Sequence, residues 1–144
     1  MKIVHAFDPG ATTGHVICEV ADDPSGYIMT NAEEIGGGVI GFVGRELDLH
    51  GASIVIYESF YLFYSARNHQ VGSSFPSAEV IGILKYLSVA YDYQLVAQSA
   101  SCKEAFTGSN SKHLPLMAQK ATGEHIKDAA RHLLYWFYSQ RSKH

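Results

Sequence analysis

The chain has 144 residues and a mass of 15.8 kDa, with 47% apolar and 17% charged residues, enough to bury a core in one domain spanning 1–144. No apolar run approaches the roughly 18 residues that a membrane-spanning helix needs, which excludes a transmembrane helix, and the composition is neither collagen-like nor disordered. Net charge is −3 but unevenly spread: residues 1–60 carry two bases against nine acids, and residues 61–144 carry nine bases against five acids, so a local phosphate-binding surface stays open.

The opening Met1–Asp8 meets an acid after a short apolar stretch and does not read as a signal peptide. Cys18 and Cys102 lie far apart and read as reduced, buried thiols of a cytoplasmic protein, with a bridge between them left open. Lys2–Phe7 predicts a buried strand ended by the turn Asp8-Pro9-Gly10. Residues 14–20 and 27–35 predict two more, forming an antiparallel meander. After Gly36-Gly37-Gly38, apolar residues at helical spacing predict a helix through His50.

Ala52–Tyr57 is β-branched and apolar on both faces, the pattern of a sheet strand covered by helices, and it ends at Glu58. Residues 59–74 show no clear period. Pro76 opens a helix reaching Tyr91, with Ala78, Ile81, Leu84, Leu87 and Tyr91 along one face. A short strand at 94–98, a short helix carrying Lys103 and Glu104, a polar loop at 107–112 and a last helix over 123–140 complete the chain. The order β-β-β-α-β-α-β-α-α predicts an α/β protein, a mixed five-stranded sheet with helices packed on it.

The acids carry the chemical signal. Asp8 and Glu58 end two strands that are plausible neighbours, and Asp128 lies early in the last helix. Adjacent buried carboxylates repel unless a cation lies between them, and hard oxygen donors suit Mg²⁺ or Mn²⁺. Acids also end strands simply for solubility, and on a helical wheel Asp128 points away from the apolar stripe. Gly10 and Gly14 permit positive φ in a turn that also offers Thr12 and Thr13 hydroxyls, an arrangement for cradling an anion or a plain hairpin. His125, Asp128 and His132 share one flank of the last helix at i, i+3, i+7. A zinc site from His125, His132 and His113 lacks supporting cysteine or His-Glu-x-x-His spacing.

Together, Phe7-Asp8-Pro9-Gly10 with Thr13-Gly14, Glu58 after Ile54-Val55-Ile56-Tyr57, and His125-Ile126-Lys127-Asp128-Ala129 resemble the RuvC-type Holliday-junction resolvases of the RNase H-like superfamily, most of all phage-encoded members. The resemblance covers nearly the whole chain. It implies an RNase H-like sheet with helices on both faces and a homodimeric endonuclease of a bacterial cell, cutting four-way junctions or other branched DNA and leaving a 5′-phosphate. It also implies one or two Mg²⁺ or Mn²⁺ ions per site, held by Asp8, Glu58 and Asp128, with His125 replacing a more usual acid as ligand or proton carrier. Lys103, Lys112, Lys120 and Lys127 would contact DNA phosphates, and Tyr61 would stack at the crossover. Two alternatives keep the fold: a nuclease processing precursor ribosomal RNA, and a catalytically inert nucleic-acid-binding module.

Overall fold

The structure, a computed structural model, describes residues 1–60 and 75–143. Five strands, β1 (Lys2–Asp8), β2 (Thr13–Val20), β3 (Tyr27–Ile35), β4 (Ile54–Glu58) and β5 (Gln94–Gln98), form one sheet in the order β3-β2-β1-β4-β5. The first three pair antiparallel as the turn residues require, whereas β4 joins β1 in parallel and β5 joins β4 in parallel. The helices are α1 (Gly38–Gly44), α2 (Pro76–Tyr91), α3 (Leu116–Gln119) and α4 (Glu124–Arg141). Two 3₁₀ segments, Ala100–Phe106 and Gly108–His113, link β5 to α3.

Strand alternation divides the core. Val4, Ala6, Val16, Cys18, Ile54 and Ile56 meet Ala129, Ala130, Leu133, Leu134 and Phe137 of α4 on one face. Phe7, Val55 and Tyr57 meet Phe42 of α1 and Val80, Ile81 and Leu84 of α2 on the other. Helices therefore cover both faces. Ala129 and Ala130, fully buried, let α4 lie close to the sheet, and truncating Leu133 or Leu134 there would cost about 2–5 kcal/mol.

The alternation also aims the chemistry. Asp8 follows Val4 and Ala6, Glu58 follows Ile54 and Ile56, and Gln98 follows Val96, so all three strand ends point to the α4 face. The parallel registers Phe7–Tyr57 and Glu58–Gln98 set them side by side.

Several expectations change in detail. α1 stops at Gly44, with Glu46 in a left-handed conformation just beyond. Residues 108–113 form a 3₁₀ segment rather than an open loop. The buried stripe of α2 runs through Val80 instead of Ala78, which is exposed. Both cysteines are free, but Cys102 is only half-buried because it lies on the short segment after an edge strand. Among the described residues, no helix is long and apolar enough to cross a membrane.

Candidate active site

The turn after Asp8 is clamped from three directions. The Ser77 hydroxyl donates to the Pro9 carbonyl at 2.8 Å, the Gly38 amide donates to the Ala11 carbonyl at 2.9 Å, and buried Thr13 accepts from the Gly10 amide at 3.3 Å. Neither Gly10 nor Gly14 has positive φ, so the anion cradle expected from these glycines is not built, and the Thr13 hydroxyl is spent inside the turn. Gly14 serves another purpose. A β-carbon there would lie 1.9 Å from the His125 carbonyl oxygen, so its absence admits the first turn of α4 against the sheet. At Gly123, just before α4, a β-carbon would collide with the Glu34 carboxylate.

With α4 seated, its i, i+3, i+7 flank lies along the row of strand ends. His125 Nδ1 is 3.0 Å from Asp8 Oδ2. His132, fully buried, places Nε2 3.0 Å from Glu58 Oε1 and Nδ1 2.7 Å from Gln98 Oε1. Between them, Asp128 Oδ1 meets Arg131 Nη1 at 2.5 Å and its Oδ2 meets Lys103 Nζ at 3.3 Å. Lys103 also reaches Glu58 Oε1 at 2.9 Å, bridging two of the three acids. The Arg131 guanidinium is fixed further by the Phe106 carbonyl at 3.2 Å and by Glu124 at 3.3 Å.

The electrostatics follow this geometry. Burial raises the Asp8 pKa above the usual carboxylate range; the His125 hydrogen bond and Lys103 oppose that rise, and the charges of Glu58 and Asp128 add to it. Glu58 is lowered, chiefly by the His132 hydrogen bond, which together with Lys103 outweighs the effect of burial. For Lys103, burial pulls downward, but the Glu58 hydrogen bond and the charges of Asp128 and Glu58 leave its pKa raised. Asp8 therefore senses both other acids, and Glu58 and Asp128 share a cation that this chain itself supplies.

All four residues expected at the reaction centre, Asp8, Glu58, His125 and Asp128, come to one end of the sheet. Lys103 stands among the acids rather than on an open DNA-facing surface. Lys112 and Lys120 are exposed. Lys112, Lys127, Arg131 and Glu124 line a cavity of about 390 Å³ that adjoins Asp128 through Arg131, and Lys127 is 3.7 Å from Glu124. Tyr61 lies outside the described residues. The zinc reading fails on geometry, because both ring nitrogens of His132 already face Glu58 and Gln98.

Sequence reasoning does not single out Gln98 or the Arg131 clamp, although strand alternation on β5 and the i, i+3 spacing from Asp128 were available signals. Among the described residues, no three His, Cys, Asp or Glu side chains stand close enough to cage an ion in their present arrangement. The donor set nonetheless has the chemistry of a hard-cation site: three carboxylates at one end of the sheet, two of them bridged by an ammonium.

No protein-family model and no curated sequence matches the chain. Solved structures do. A Thermus thermophilus RuvC in complex with a Holliday junction substrate superposes with a TM-score of 0.68 at 14% identity, covering 97% of this chain and 96% of that one. The fowlpox virus Holliday junction resolvase gives a TM-score of 0.61 at 13% identity, covering 95% and 99%. The chain shares the fold of these resolvase structures. This framework brings Asp8, Glu58 and Asp128 together from segments separated by 50 and 70 positions in sequence. Neither β1, β4 nor α4 could assemble the site alone.

Proposed function

We propose that this chain is a metal-dependent, structure-selective endodeoxyribonuclease that hydrolyses phosphodiester bonds in four-way junctions and related branched DNA, leaving 5′-phosphate ends. The observation that carries the reading is the convergence of Asp8, Glu58 and Asp128 at the ends of β1 and β4 and the start of α4. The likeness to two junction resolvases across nearly the whole chain supports the substrate class.

Asp8, Glu58 and Asp128, with His125 beside Asp8, would hold one or two Mg²⁺ or Mn²⁺ ions. A bound ion there supplies an activated water and neutralises charge on the phosphodiester. The chain's own groups do the rest. His132 orients Glu58 from beneath, and Gln98 fixes the His132 ring. Arg131 fixes one oxygen of Asp128. His125, half exposed on Asp8, is placed to carry a proton between that carboxylate and solvent. Lys112, Lys120 and Lys127 hold the DNA backbone rather than reading bases.

The chain acts as a homodimer in this reading, because two sites related by a two-fold axis match the two opposed strands of a junction. The exposed Tyr86 and Val89 on α2, opposite its buried face, provide apolar surface for such a contact.

The deciding experiment incubates the protein with labelled four-way junction, flap, fork, linear duplex and structured RNA, in Mg²⁺, Mn²⁺ or EDTA. Paired, symmetric nicks in the junction, absent in EDTA, are expected. Cleavage confined to RNA would replace the reading with an RNA-processing nuclease. Binding without cleavage in either metal would make the chain an inert module.

A further inference from the structure

The Lys103 ammonium stands 2.9 Å from Glu58 Oε1 and 3.3 Å from Asp128 Oδ2, so it already gives these two acids the cation that adjacent carboxylates require. Ammonium–oxygen contacts of this length hold carboxylates further apart than the roughly 2.1 Å bonds of a small divalent ion. Among the described residues, the donor set does not close into a cage in its present arrangement. A divalent cation and an ammonium at the same two oxygens would repel strongly at so short a separation. One of them must leave.

Both oxygens of Asp128 carry a cationic partner, and the two partners differ in freedom. Arg131 is buried, its Nε is fixed on the Phe106 carbonyl, and its Nη1 is shared between Asp128 and Glu124. Lys103 is a point charge on a flexible four-carbon stem, about a quarter exposed, with charged contacts only to the two acids among the described residues. Its 3₁₀ segment is tethered further on, where the Phe106 ring stacks on Tyr138 and the Phe106 carbonyl accepts from Arg131. The stem can therefore turn without unseating the segment.

We propose that Lys103 is an intramolecular counter-ion occupying the divalent-cation position between Glu58 and Asp128, and that metal loading requires its ammonium to withdraw. The inference rests on the metal-dependent reading above and extends it: Lys103 holds the acid cluster together before metal arrives and sets how tightly metal binds. Lys103 is in this sense a positioning residue that competes with the ion.

The test is Mn²⁺ binding without DNA, read by the electron paramagnetic resonance of free Mn²⁺ at constant pH. It compares the wild type, Lys103→Met, Lys103→Gln and Asp128→Asn, each checked for folding by circular dichroism. Both Lys103 variants are expected to bind Mn²⁺ about tenfold more tightly than wild type. They should also melt at a lower temperature than wild type in EDTA and recover that loss when Mn²⁺ is added. Unchanged or weaker Mn²⁺ binding in both folded Lys103 variants, with wild-type binding lost in Asp128→Asn, would overturn the counter-ion role and leave the metal site standing. Failure of the wild type and both Lys103 variants to bind Mn²⁺ would overturn the counter-ion and the metal site together.

Discussion

The α-carbon of Gly14 at the start of β2 lies directly beneath the backbone of His125 in the first turn of α4, so close that a β-carbon would come within 1.9 Å of the His125 carbonyl oxygen. This contact fixes the distance between the last helix and the sheet at the place where Asp8, Glu58 and Asp128 meet. Backbone cannot yield as the end of a flexible side chain can. Gly14→Ala is therefore expected to lose about 1–3 kcal/mol of stability and to tilt the start of α4 away from Asp8. Thermal melts by circular dichroism measure the first effect, and junction cleavage at a temperature where the variant is folded measures the second. Wild-type values in both would remove Gly14 from the account.

Asp8 is the most buried of the three acids, and its carboxylate faces His125 and the charges of its neighbours. Asp8→Asn keeps the shape and removes the charge. Cleavage is expected to fall by about a thousandfold or more, while junction binding in EDTA stays within a few-fold of wild type. Single-turnover cleavage and fluorescence anisotropy report the two separately.

His132 is fully buried and bonded through both ring nitrogens. Replacing it by Leu leaves the Gln98 amide and the Glu58 carboxylate without that partner. A loss of about 2–4 kcal/mol is expected in denaturant melts. An unperturbed melt would show that water replaces the imidazole at no cost.

Lys112 and Lys120 are exposed bases on the segments between β5 and α4. If each neutralises one phosphate, Lys112→Ala and Lys120→Ala should each lower the slope of log affinity against log salt by about 0.9. Binding isotherms at four or five salt concentrations give the slope, and an unaltered slope would move the DNA path elsewhere.

The face opposite the site holds a buried imidazole pair. His5 Nδ1 is 2.9 Å from His15 Nε2, His15 stacks on Phe7 with centroids 4.3 Å apart, and His15 Nδ1 is 3.3 Å from Glu33. Burial, then the charge of His15, lowers His5 to about 4; burial, then Arg45, lowers His15 to about 3. Both folded values lie below the usual 6.5, so between these limits the unfolded chain binds more protons than the folded one. Stability should therefore be full above about pH 6.5 and drain away as pH falls toward 4 and then 3, by about 1.4 kcal/mol per histidine for each pH unit crossed. Melting temperatures between pH 4 and 7 should fall steeply for the wild type and less steeply for His15→Gln. Equal slopes would assign the acid sensitivity to other groups.

Much of the fold was legible because it depends on local pattern. Alternation and turn residues located β3 at 27–35 and β5 at 94–98 as they stand, and the stripe from Ala129 to Phe137 identified the buried side of α4. The chemistry-bearing acids could be singled out because a charged residue ending an apolar strand costs free energy unless something offsets it. Of the aromatic residues that follow Glu58, Phe60 is exposed with its ring 5.7 Å from that of Phe75, and Tyr61 lies outside the described residues.

Long-range contact decided the rest. Composition and spacing marked Lys103 only as one base among nine in its half of the chain, and nothing local distinguishes it from Lys112. Its place between Glu58 and Asp128 depends on β5 pairing with β4 and on α4 crossing the sheet. The same holds for Gly14, whose glycine answers to a helix more than a hundred residues later rather than to its own turn. Residue order determined which groups were available and which face of each strand or helix they occupied, because those follow from periods of two and 3.6. Which groups share a cation is a property of packing, since that depends on distances across elements far apart in the chain.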